Sequence, residues 1–186
     1  GRSSTREQRA EQLMSLFENP EVKYIFSAKG GDFLMEVLPL LDLDVIRRNP
    51  KWFQGFSDNT GLTYTLAVNC HTATVYGNHF NDFSMEPWHS AVRNNAEIMT
   101  GNILEQFSFD AYEDDFYDRE RPEEGYREDK PSRQYAVMDG KIVDEVSLRG
   151  RMLGGCLDVL LNLVGTCFDK TREFVESYHQ DGILWY

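Results

Sequence analysis

The sequence predicts an α/β fold: a parallel-sheet N-terminal domain with a nucleophile elbow, followed by the start of a smaller α/β C-terminal domain. Three observations carry that expectation. Short apolar runs alternate with helix-period segments over residues 5–76, the order that builds a parallel sheet with helical crossovers. Ser57 stands between a strand-like run and a helical one, just after Gly55. Beyond an acidic stretch at residues 110–129, strand and helix patterns resume and continue to Tyr186.

Taken in order, Ser4-Thr5-Arg6-Glu7 reads as a capping box, after which Ala10, Leu13, Met14 and Phe17 share one helical face. Asn19-Pro20 ends that helix, and residues 21–27 are strand-like. Lys29-Gly30-Gly31-Asp32 forms a turn into a second helix expected over 33–41. Residues 51–54, between Pro50 and Gly55, read as a buried strand. Leu62, Leu66 and Val68 then recur at helical spacing, with Asn59 or Thr60 placed to cap. Residues 72–76 are a further β-branched strand closed by Gly77-Asn78. A helix follows with Pro87 near its first turn and Trp88, Val92, Asn95 and Met99 on one face. Asp139-Gly140, flanked by strand-like residues 134–138 and 141–146, is a two-residue hairpin signal. Residues 150–155 form a glycine-rich turn before an apolar helical face at Cys156, Val159, Leu160 and Leu163. A last helix is expected over 171–179 and a final strand over 183–186. The expected division is an N-terminal domain over 1–108, an acidic linker over 109–131, and the beginning of a C-terminal domain over 132–186.

Composition narrows the function classes. Net charge is -12, from 19 basic and 31 acidic residues, which argues against nucleic acid or an anionic membrane surface as partner. Residues 110–129 alone hold ten acidic and three basic side chains, the pattern of a solvated linker. No segment has the ~18 consecutive apolar residues of a membrane span. Cys70, Cys156 and Cys167 show neither metal spacing nor a Cys-x-x-Cys pair, and read as reduced thiols of a cytoplasmic protein. Cys70 and His71 are adjacent, so on a helix they do not face each other as nucleophile and base. His71, His79 and His89 lack the i, i+4 spacing of a helical metal pair. The residues 150–155 contain no Gly-Lys-Ser/Thr, so a phosphate loop is a poor reading. Neither a metal nor a cofactor is expected.

Gly55-Phe56-Ser57-Asp58 admits two readings. As an elbow, the turn lifts the Ser57 hydroxyl clear of the sheet and leaves the Asp58 N–H to receive an oxyanion. As a plain helix start, Ser57 or Asp58 only satisfies orphan N–H groups. Asn59 stands where the usual Gly-x-Ser-x-Gly motif has its second glycine. The Gly30-Gly31 turn falls at the same carboxyl edge of the sheet, where ligands bind in open α/β folds; it could also be only a tight turn.

Three blocks carry a family resemblance. They are Ala28 to Gly31 with Leu40-Leu41-Asp42; Asn49 to Thr60 with Tyr76-Gly77; and Gly150 to Asp158 with Gly165-Thr166 and Asp181 to Tyr186. In this order they resemble the LD-carboxypeptidase family of serine peptidases, especially the branch of the microcin C immunity peptidase. The stretch LFENPEVKYIFSAKGGDF and the Trp185-Tyr186 strand look closer to that branch. The resemblance implies Ser57 as nucleophile, the Gly31 and Asp58 amides as oxyanion donors, and Gly30, Gly77 and Asn78 as substrate-binding candidates. Family members often have proline where Asn78 stands. It implies cleavage of an amide next to a free carboxylate, in a murein LD-peptide or an aminoacyl-nucleotide antibiotic, by a protein that is often a homodimer. The family order is Ser, Glu, His, with the Glu just after a strand similar to 183–186. Both partners are therefore expected beyond residue 186, a strand and helix before residue 3, and this chain by itself is expected to be inactive. None of the four histidines matches the family's catalytic position. Two rival classes are a non-catalytic α/β ligand-binding domain and another elbow-type esterase or amidase.

Overall fold

The computed structural model describes residues 3–102, 105–114 and 123–186. Helix α1 (Arg6–Glu18) starts at Thr5, whose hydroxyl accepts the Gln8 amide while the Gln8 side chain accepts the Thr5 amide. The box is thus one residue later than Ser4 to Glu7, because two overlapping frames satisfy the same pattern. Ala10 and Phe17 are buried on its inner face.

Strands β1 (Tyr24–Phe26) and β2 (Trp52–Gln54) pair in parallel, with Ile25 opposite Phe53. The expected helix over 33–41 is instead two 3-10 turns, Leu34–Glu36 and Leu38–Leu40. Pro39 has no N–H to donate, so it cannot sustain an α-helical run there. The Asp42 carboxylate then accepts the Asp44 and Val45 amides and starts helix α2 (Leu43–Arg48), too short for its periodicity to be read. Helix α3 (Thr60–Cys70) is buried on nearly every side, so it runs through the core rather than over it. Asn59 does not cap it through its side chain; a 3-10 turn, Ser57–Asn59, leads straight in. His71, at φ +52, ends it. The strand expected over 72–76 is reduced to one parallel bridge, Val75 to Gln54. There the Val75 amide donates to Phe53 at 2.9 Å and the Gly55 amide to Val75 at 3.2 Å. On either side the backbone is drawn off, Thr72 to the end of α3 and Asn78 to the Gln54 side chain.

Helix α4 (Ser90–Met99) is capped by His89, whose Nδ1 accepts the Ala91 amide at 3.1 Å. Pro87 and Trp88 therefore precede the helix, and its buried face is Val92 and Asn95. Strands β3 (Ala111–Tyr112) and β4 (Lys130–Pro131) pair antiparallel within the stretch expected to be linker, of which residues 115–122 lie outside the described residues. Strands β5 (Ala136–Met138) and β6 (Lys141–Val143) form the expected hairpin, with Asp139 and Gly140 both at positive φ as a type I′ turn requires.

The glycine-rich stretch 150–155 is not a turn. It contains strand β7 (Arg151–Leu153), which pairs in parallel with β8 (Ile183–Trp185) across helices α5 (Leu157–Leu163) and α6 (Thr171–Tyr178). Its glycines permit close backbone approach. A Cβ on Gly154 would fall on the Tyr186 carbonyl, and one on Gly155 would stand 2.5 Å from the Thr60 side chain.

The chain divides into two compact units, Gly1–Phe80 with Arg149–Tyr186, and Asn81–Leu148. The boundaries expected at 108 and 131 both fall inside the second. In the first unit Leu62 and Leu66 of α3, wholly buried, meet Phe17, Phe53, Leu153 and Phe174 in one hydrophobic core. Burial of each such leucine is worth about 1.5–3 kcal/mol. Among the described residues no helix is long and apolar enough to cross a membrane. The architecture is α/β, with a parallel sheet at the N-terminal end and further strands and helices after it.

Candidate active site

The turn after β2 is built by three neighbouring residues. Phe56 is extended, at φ -126 and ψ 
-174, and Ser57 follows at φ +59. A positive φ on a residue with a Cβ costs about 1–2 kcal/mol, so the surroundings must hold it there. Gly55 makes room for that. A Cβ on it would stand 2.7 Å from Cγ of Asn59, whose side chain folds back over the turn. The Asn59 carboxamide lies 3.1 Å from the Phe56 carbonyl and 3.3 Å from the Lys29 carbonyl, joining the turn to the loop that begins the Gly30-Gly31 stretch. The Ser57 amide donates to the Tyr76 hydroxyl at 3.2 Å.

Gly30 and Ser57 are in close approach. A Cβ on Gly30 would lie 3.3 Å from Ser57 Cβ, 3.4 Å from its Oγ, and 3.3 Å from Cε1 of His79. Gly31 lies against Asp58, with its Cβ position 3.4 Å from Oδ2. The same Oδ2 accepts the Phe33 amide at 3.1 Å and the Leu34 amide at 3.0 Å. Burial raises the Asp58 pKa above the ordinary carboxylate value, against the pull of those two amides. Asp58, read in the sequence as an oxyanion donor through its amide or as a cap through its side chain, caps with its carboxylate the turn that follows Gly30-Gly31 and holds that loop beside the serine.

Gly77 and Asn78 follow Tyr76 and are half-buried. Wholly buried Gln54 holds them at the sheet edge: its Nε2 donates to the Asn78 carbonyl at 2.7 Å, and its Oε1 accepts the Tyr24 hydroxyl at 2.5 Å. Burial pushes the Tyr24 pKa up to about 12, which keeps that donor protonated. Buried His79 stacks on the Phe56 ring, centroids 3.9 Å apart, with its Nε2 3.1 Å from the Asn59 carboxamide. The structure thus brings Gly30, Gly31, Ser57 and Asp58 together with Asn59 and Tyr76 of the same sequence block, and adds His79, which the sequence did not place there. The available signal was position: Tyr76 to His79 follow a third strand at the same sheet edge. His71, His89 and His179 are bonded elsewhere, to Tyr178, Glu128 and the Glu176 carbonyl.

Residues 1–77 match the family described as the LD-carboxypeptidase N-terminal domain. The chain carries an LD-carboxypeptidase fold. It is related to the microcin immunity branch of that fold. The Microcin C7 self-immunity protein MccF of Escherichia coli is 40% identical over 76 residues, which cover 41% of this chain and 22% of that protein. The putative carboxypeptidase YocD of Bacillus subtilis is 28% identical over 181 residues, covering 96% of this chain and 54% of that one. Among solved structures, the Microcin C7 self immunity protein MccF in complex with aspartyl sulfamoyl adenosine superposes with a TM-score of 0.65 at 25% identity, over 90% of this chain and 50% of its own. The chain spans about half the length of YocD and of that solved structure. The LD-carboxypeptidase match includes Gly30, Gly31, Ser57, Asp58 and Gly77; Asn78 and His79 lie just past it.

Proposed function

We propose that the protein is an LD-carboxypeptidase-type serine hydrolase that cleaves an amide next to a free carboxylate. Ser57 is the nucleophile, at an elbow between β2 and α3. The observation that carries the reading is the positive φ of Ser57 at the sheet's carboxyl edge, in close approach to Gly30. A plain cap has no use for that conformation, since a capping side chain works from ordinary extended backbone. Attack by Oγ on the scissile carbonyl would place the new oxyanion toward the amides of Gly31 and Asp58. Gly30, Gly77 and Asn78 would line the substrate. A histidine must take the Ser57 proton and return it to the leaving amine, and a carboxylate must hold that histidine's tautomer. The family order Ser, Glu, His assigns neither role within residues 1–186. Water then hydrolyses the acyl-enzyme and frees Ser57.

The substrate reading is an aminoacyl-nucleotide. Its support is the relation to the immunity branch and the aspartyl sulfamoyl adenosine held by one solved relative. Cytoplasmic location and a homodimer belong to the same proposal. The test uses the protein as its gene encodes it, with an aminoacyl-adenylate analogue and a murein LD-tetrapeptide as substrates. Turnover that favours the nucleotide and is abolished by Ser57→Ala is expected. A preference for the murein peptide would move the substrate but keep the enzyme. Equal turnover by wild type and Ser57→Ala would remove Ser57 as nucleophile.

A further inference from the structure

The Ser57 turn is held by a histidine, His79, that the proposed reaction does not use. Nε2 of His79 lies 3.3 Å from the Phe56 amide nitrogen, 3.1 Å from the Asn59 carboxamide nitrogen, and 3.1 Å from the Phe56 carbonyl. Which of these are hydrogen bonds depends on where the imidazole proton sits. The Phe56 carbonyl already accepts two donors, the Asn59 amide at 3.2 Å and the Asn59 carboxamide at 3.1 Å. The Asn59 nitrogen facing the ring is fixed as the NH2 end, because it also faces the Lys29 carbonyl. The Asn59 carboxamide has two hydrogens for three acceptors, the Lys29 and Phe56 carbonyls and Nε2, so one hydrogen is shared. A proton on Nε2 would set N–H against the Phe56 N–H and against that shared hydrogen, to add a third donor to one carbonyl. A proton on Nδ1 leaves Nε2 as the shared acceptor for both donors. The ring is buried and stacked on Phe56, so it cannot turn away without losing that contact.

We infer that His79, as the Nδ1–H tautomer, is the positioning residue of the Ser57 turn, with Nε2 accepting from Phe56 and Asn59 on the two sides of the serine. The inference rests on the proposed role of Ser57. His79 fixes the residue before the nucleophile and the second residue after it, and so sets the direction of the hydroxyl. It also explains Asn59 in place of the motif's second glycine: its carboxamide is the piece that joins His79, the turn and the Gly30-Gly31 loop.

Three variants of the protein as its gene encodes it test this. His79→Phe keeps the ring stack and removes the acceptor; His79→Gln supplies an oxygen acceptor in its place; Asn59→Ala removes the second donor and covers the case in which His79→Phe does not fold. With the aminoacyl-adenylate analogue, kcat is expected to fall about tenfold to a hundredfold in His79→Phe, the loss of one or two buried hydrogen bonds, with KM within about threefold. His79→Gln is expected to recover most of that loss, and Asn59→Ala to match His79→Phe. Equal kcat in wild type and His79→Phe, or in His79→Phe and His79→Gln, would overturn the inference. A second readout does not need activity: the imidazole 15N spectrum of the unsubstituted protein should show His79 protonated on Nδ1. A proton on Nε2 would overturn the inference even if Ser57 is the nucleophile. Loss of turnover in every form with Nδ1–H observed would instead count against the Ser57 reading alone.

Discussion

At the scale of single residues, Asp58 is where burial and hydrogen bonding oppose one another. Its carboxylate takes two backbone amides at the start of the Leu34–Glu36 turn, yet burial is the larger effect and its pKa is raised. A carboxyl whose folded pKa lies above its unfolded value binds its proton more tightly when folded. Its contribution to stability is then complete below the unfolded pKa and is lost as pH rises through the folded one. Asp58→Asn removes that titration and keeps one acceptor oxygen. The stability of the variant relative to wild type should therefore rise between about pH 3 and about pH 7, read by urea denaturation at each pH. A relative stability that falls over that range would mean that the two amides outweigh burial. Ser57 itself was legible from the sequence as a serine between a strand and a helix. Its φ was not, because local pattern cannot separate an elbow from a cap.

At the scale of elements, the contact between the ends of β7 and β8 admits no side chain at Gly154, where a Cβ would stand 2.0 Å from the Tyr186 carbonyl oxygen. Gly154→Ala should force the strand ends apart and cost about 3 kcal/mol, measured as a lowered midpoint in thermal or urea unfolding. A change under about 0.5 kcal/mol would mean that the end of β8 is not held against β7. Elements with strong local signals were readable beforehand: α1 with its capping box, the Asp139-Gly140 hairpin, α6, and β8. Those set by tertiary contact were not. The segment 33–41 has helical spacing but carries Pro39, and 72–76 has strand composition but meets the sheet only at Val75. The stretch 150–155 reads as a turn because glycines usually mark turns. Here they are needed because Tyr186 and Thr60, distant in sequence, lie against them.

At the scale of the molecule, the surroundings of α3 come from both ends of the first unit. The Tyr64 hydroxyl bonds Thr171 at 2.7 Å, the Asn69 carboxamide donates to the Phe168 carbonyl at 2.8 Å, and the Cys156 amide donates to Thr60 at 2.9 Å. Phe174 packs into the same core. Phe174→Ala should cost about 3–5 kcal/mol. Because the core is shared, hydrogen exchange should quicken along α3 as well as α6. Faster exchange confined to α6 would show that the two helices open independently.

The second unit, Asn81–Leu148, is inserted between the two chain segments that make the first. Bringing those segments together has an entropic cost that depends on the intervening length only through its logarithm, about 0.6 kcal/mol for each doubling. The first unit is therefore nearly indifferent to how long its insertion is. Lengthening, shortening or rebuilding residues 81–148 is a change that the framework around Ser57 can absorb. Its stability depends far more on the contacts that join the two segments: Gly155 and the Cys156 amide against the Thr60 side chain, Tyr64 against Thr171, and Phe174 in the shared core.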